Sequence, residues 1–89
     1  MLETEFRAFL ESEGKGEKAV DSRISRLNKV ENLLGKSADA AVDGDENMLS
    51  ALRRIESFDN KSQPLSNALR KYYLFKNKRE FPRMAEIDN

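Results

Sequence analysis

An all-α fold is the class this sequence predicts, on three observations. Apolar residues recur at three- and four-residue intervals in four separate stretches. No alternating apolar/polar run of strand length occurs in the 89 residues. Glycines stand at the ends of the first two helical stretches, where chain breaks are needed. The expected architecture is a compact four-helix bundle.

The first helix is expected from Leu2 to about Ser12, with Leu2, Phe6, Phe9 and Leu10 on one face and Gly14 and Gly16 ending it. The second runs from Glu17 to Leu34. Val20, Ile24, Leu27, Val30 and Leu34 form its apolar stripe, and Gly35 follows where a left-handed cap is required. A loop is expected over "KSADAAVDGDEN", residues 36–47, because its side chains are small or acidic. The third helix starts near Asp45, an N-cap residue type, and should turn Met48, Ala51, Leu52, Ile55 and Phe58 inward. "DNKSQP" reads as a turn in which Ser62 caps the fourth helix and Pro64 sits in its first turn.

The fourth helix, Gln63 to about Lys78, carries the most unusual composition. "LSNALRKYYLFKNKREFP" holds two tyrosines, two phenylalanines and five basic residues in eighteen positions. At 100° per residue, Leu65, Ala68, Leu69, Tyr72 and Phe75 share the core sector, with Tyr73 on its border. Ser66, Asn67, Arg70, Lys71, Asn77 and Lys78 fall on the other side. Leu74 points into that polar sector, so either the C-terminal tail or a partner must cover it.

Composition excludes several functions. A chain of this length buries only roughly 60–65% of its unfolded surface, enough for one small core. With 38% hydrophobic and 36% charged residues, it lies on the globular side of the boundary with disorder. There is no cysteine and no histidine, which removes disulfides, thiolate ligands and the usual neutral-pH base. "MLETEFRAFLES" is acidic and amphipathic, unlike a signal peptide, and no apolar run reaches the ~20 residues of a membrane span. A cytoplasmic protein without cofactor, metal or membrane contact is expected. "DGDEN" has Asp43, Asp45 and Asn47 at the alternate positions of a calcium loop. Met48 and Arg54 occupy the places where that loop needs glycine and glutamate, so Asp45 reads as a helix cap.

Charge is segregated although the net charge is zero. Residues 15–36 hold six basic and three acidic side chains, and residues 61–83 hold seven and one. Residues 1–14 hold one basic and four acidic, and residues 37–60 hold two and six. The second and fourth helices are therefore basic, the first and third acidic. On the second helix the outward face reads Lys18, Ser22, Ser25, Arg26 and Lys29. Such side chains neutralise and hydrogen-bond a nucleic-acid backbone. The alternative is that basic and acidic helices alternate so as to attract one another inside the bundle.

The order "FRAFLESEGKGEKAVDSRISRLNKVENLLG", "MLSALRRIESF", "QPLSNALRKYYLFKNK" resembles the N-terminal SAM-like, core-binding domain of phage integrases and other tyrosine recombinases. The similarity rests on the short helix ending in Phe-Leu, the stripe Val20, Ile24, Leu27 and Leu34, and a final helix of the type Ser-x-Ala-Leu-Arg-x-Tyr-Tyr-x-Phe. The last is matched by Ser66 and the run Asn67 to Phe75. The resemblance implies a SAM-like domain over residues 1–80, a flexible tail over 81–89, and duplex DNA approached by the second and fourth helices. The expected phosphate contacts are Lys18, Ser22, Arg26 and Lys29 with Ser66, Asn67, Arg70, Lys71 and Lys78. This sequence departs from the family at Gly16, where a Ser or Thr cap is usual, and at Asp21 and Arg23, near the family's Thr and Tyr. It also lacks the catalytic domain with its histidine and nucleophilic tyrosine. The expectation is a non-catalytic DNA-binding module of DNA integration and recombination. The alternative is a small protein-interaction module of a phage or mobile element, with a partner near Leu74.

Overall fold

The computed structural model describes residues 1–58 and 63–82. The expected Ser62 cap and residues 83–89 lie outside the described residues. Among the described residues five helices form an all-α bundle: α1 (Glu3–Ser12), α2 (Glu17–Leu34), α3 (Ala38–Ala41), α4 (Asp45–Phe58) and α5 (Gln63–Asn77). The expected second and fourth helices are thus α2 and α5. Helix α2 ends at Gly35, whose φ of 69° is open to glycine at little cost, and whose N–H bonds Glu31 O at 2.9 Å.

The apolar stripes converge on one core. Phe6, Leu10, Val20, Ile24, Leu27, Val30, Met48, Ala51, Leu52 and Ile55 are buried, joined from α5 by Ala68, Leu69, Tyr72 and Tyr73. Phe9, Leu34, Leu65 and Phe75 are partly buried and pack against them. Phe6 meets Tyr72 edge-on at 5.0 Å between ring centroids, and Phe75 lies 5.5 Å from both rings. These rings lock α1 onto α5.

The expected loop contains a helix. Ser37 accepts from Ala40 N at 3.2 Å, and Glu31 reaches across from α2 to accept from Ala38 N at 2.8 Å. Those bonds satisfy the exposed amides of a single turn, while Ala38, Ala41 and Val42 are buried beneath it. Asp45 is the first residue of α4, and Gly44 O accepts the Met48 N–H at 3.1 Å. The Asp45 side chain is engaged in tertiary contacts with Tyr73 and Arg79.

Two expected core assignments change. Phe58, expected inward, is the last residue of α4 and is 67% exposed: helical periodicity fixes a side chain's direction, while burial needs a neighbour opposite it. Tyr73, assigned to the border, is fully buried, and the cause is a reversal after α5. Lys78 takes a left-handed φ of 63° and its N–H bonds Leu74 O at 2.9 Å, closing the helix. The chain then returns along α5 and sets Phe81, 6% exposed, edge-on against Tyr73 at 5.1 Å. The tail expected from residue 81 onward therefore begins with a packed side chain.

Candidate nucleic-acid interface

Helix α2 presents its expected basic face to solvent. Lys18, Ser22, Ser25, Arg26 and Lys29 are all exposed, and the three cations have no ion-pair partner among the described residues. The acids of the same helix are largely engaged elsewhere. Asp21 is bound by Arg7 of α1 at 2.8 Å, and Glu31 accepts from Ala38 N and pairs with the Met1 ammonium at 3.2 Å. What remains on the outward side is a cationic stripe with serines interleaved.

Helix α5 is less free than its sequence suggests. Arg70 is half-buried, donates through Nη1 to Phe81 O and Pro82 O at 3.1 Å each, and lies 5.6 Å over the Phe81 ring. It is a tether for the reversed chain. A guanidinium has five donors, so its other nitrogens stay available. Lys71 pairs with Glu13 at 3.2 Å across the end of α1, and Lys78 lies 5.6 Å over Phe75. Ser66 is half-buried and Asn67 exposed.

A groove of about 600 Å³ brings part of this set together. Asn67, Arg70, Lys71 and Leu74 of α5 line it with Arg23 of α2 and with Glu80 and Phe81 of the reversed segment. Lys18, Ser22, Arg26, Lys29, Ser66 and Lys78 do not line it. Arg23 was not among the expected contacts, yet it links the two helices: Arg26 follows it by three residues, one turn along the same helix surface. Its signal in the sequence was that spacing. Leu74, which needed a cover, is half-buried in this groove beside Phe81.

Elsewhere cations are neutralised internally. Asp39 of α3 accepts from Tyr72, pairs with the Met1 ammonium at 2.9 Å and with Lys76 at 3.2 Å. Burial opposes its charge, but these three donors outweigh burial and hold the carboxyl down at about 2. Asp45 accepts from Tyr73 and Arg79, the latter at 2.9 Å, and these bonds lower its pKa. Both tyrosine hydroxyls are correspondingly harder to ionise, through burial first and then the adjacent carboxylate. Among the described residues there is no metal-ligating cluster, and no helix is long and apolar enough to cross a membrane. Comparison with protein-family models, curated proteins and solved structures finds no match to this chain.

Proposed function

We propose that this protein is a non-catalytic module that binds duplex DNA through its phosphates, with α2 supplying the principal face and α5 the second. The observation that carries this reading is the exposed stripe of Lys18, Arg26 and Lys29, without an ion-pair partner among the described residues, on a helix whose Asp21 and Glu31 are already paired. Ser22 adds a hydroxyl to that face. Arg23 extends the stripe toward Asn67, Arg70 and Lys71 in the groove, while Ser66 and Lys78 would touch backbone from the two ends of α5. The resemblance to core-binding domains supports the use of these two helices and a role in DNA integration or recombination in the cytoplasm. Tyr72 and Tyr73 act as neutral donors to carboxylates, which supports a role without nucleophilic chemistry.

With about four to six phosphates neutralised, log K falls with log[salt] at a slope of about −4 to −5. Zero net charge gives little long-range attraction, so binding to generic duplex is on the order of micromolar or weaker at physiological salt. Fluorescence anisotropy with a labelled duplex over a salt series tests this. Arg26→Ala should weaken binding equally across sequences and reduce the slope by about one. Absence of binding at about 20 mM salt would refute the reading. A second reading, a protein-interaction module, is favoured by Leu74 lying half-exposed in the groove.

A further inference from the structure

The chain that leaves α5 is fixed to the bundle by groups other than Arg70. Phe81 is buried edge-on against Tyr73. Arg79 pairs with Asp45 of α4 at 2.9 Å, and its guanidinium lies 5.2 Å over the Tyr73 ring. These anchors set two consecutive carbonyls, Phe81 O and Pro82 O, each 3.1 Å from Nη1 of Arg70, whose guanidinium also lies 5.6 Å over the Phe81 ring. We propose that Phe81 and Pro82 are positioning residues, which hold the Arg70 guanidinium as a preset contact for one phosphate of duplex DNA.

Charge singles out Arg70 among the cations of its helix end. Lys71, Lys76 and Arg79 are each paired with a carboxylate, of Glu13, Asp39 and Asp45. The acceptors of Arg70 are neutral carbonyls, so its charge is not cancelled. Glu80 lines the same groove but forms no ion pair among the described residues. Geometry points the same way. With Nη1 bound to both carbonyls, the N–H groups left are those of Nη2 and Nε. They share one edge of the planar group, the fork that grips two oxygens of a phosphate. A free arginine gives up rotamer freedom when it binds, whereas one held by two carbonyls and a ring has already lost it on folding. On the duplex-binding reading, on which this positioning rests, the reversed segment is thus part of the α5 contact surface.

Fluorescence anisotropy of the full chain with a labelled duplex over a salt series, on the parent and on variants shown by circular dichroism to be folded, tests the proposal. Phe81→Ala should weaken binding about three- to tenfold and leave the salt slope unchanged, because the charge stays. Arg70→Ala should lower the slope by about one. In that background Phe81→Ala should change affinity by less than about twofold, since the group it positions is gone. Arg70→Lys keeps the charge and the core but loses the fork, so it should keep the slope and bind about three- to tenfold more weakly. A Phe81→Ala chain that binds like the parent, or more tightly, overturns the proposal. So does a loss of equal size in both backgrounds, which a merely structural role would give, or an Arg70→Lys chain that binds like the parent. If Phe81→Ala does not fold, Arg70→Lys decides alone. A parent chain that binds no duplex at about 20 mM salt overturns the duplex-binding reading and the positioning together, whereas the other adverse outcomes leave that reading standing.

Discussion

Replacing Tyr72 by Phe isolates one hydroxyl in an otherwise intact core. The ring is fully buried and stays against Phe6 and Phe75, so no cavity forms. The hydroxyl accepts from Leu2 N at 2.8 Å and donates to Asp39. A hydrogen bond to a charged group contributes about 1.5–3 kcal/mol. The part-buried Leu2 N–H loses its acceptor at the same time, which adds to the cost. Asp39 keeps the Met1 ammonium and Lys76. Since Asp39 is itself partly solvated, the expected loss is about 2 kcal/mol. A chain of this length has a total stability of about 4–13 kcal/mol, so the variant remains folded. With m near 1 kcal/mol/M in urea, the midpoint should fall by about 2 M. The effect also has a pH signature. Asp39 is depressed from 3.8 to about 2, so its contribution is present above pH 3.8 and lost as pH falls through about 2. Without the tyrosine donor its folded pKa rises. The gap between parent and variant should be full at pH 5 and above and narrow between pH 4 and pH 2. Urea unfolding followed at 222 nm at several pH values measures both. A loss under about 0.5 kcal/mol at neutral pH, or a gap that does not change with pH, would refute the reasoning.

Two further predictions concern packing. Leu69→Ala empties a site with no solvent exposure where the helices meet, and should cost about 2–5 kcal/mol in the same urea assay. A value under about half a kcal/mol would mean that α5 is not central to the core. Phe81→Ala removes the ring that covers Tyr73 and supports Arg70, and should cost about 2–3 kcal/mol because the chain end can relax. It should also raise proteolytic cutting near residues 78–82. An unchanged cutting rate would show that the reversed segment does not depend on that ring.

The local code is legible wherever one helix face meets one core. Val20, Ile24, Leu27 and Val30 recur at intervals of three and four over nearly three turns, and Gly35 stands where the helix must end. The bounds of α2 therefore coincide with the sequence expectation of Glu17–Leu34. Helix α3 escaped because four residues show no period, and because its amides are satisfied partly by Glu31, which no local pattern connects to Ala38. Position on a helical wheel could not settle Tyr73 or Phe58. Burial depends on what lies opposite, and Phe81 returns to cover the first while nothing described covers the second. The candidate site divides the same way. Charge sums located the basic helices, and the outward face of α2 follows from its stripe. Which cations remain unpaired was decided by distant acids: Asp39 takes Lys76, Asp45 takes Arg79 and Glu13 takes Lys71. Ion pairs form between side chains brought together by the fold. Their pairing is a property of three-dimensional distance, which helical periodicity does not encode.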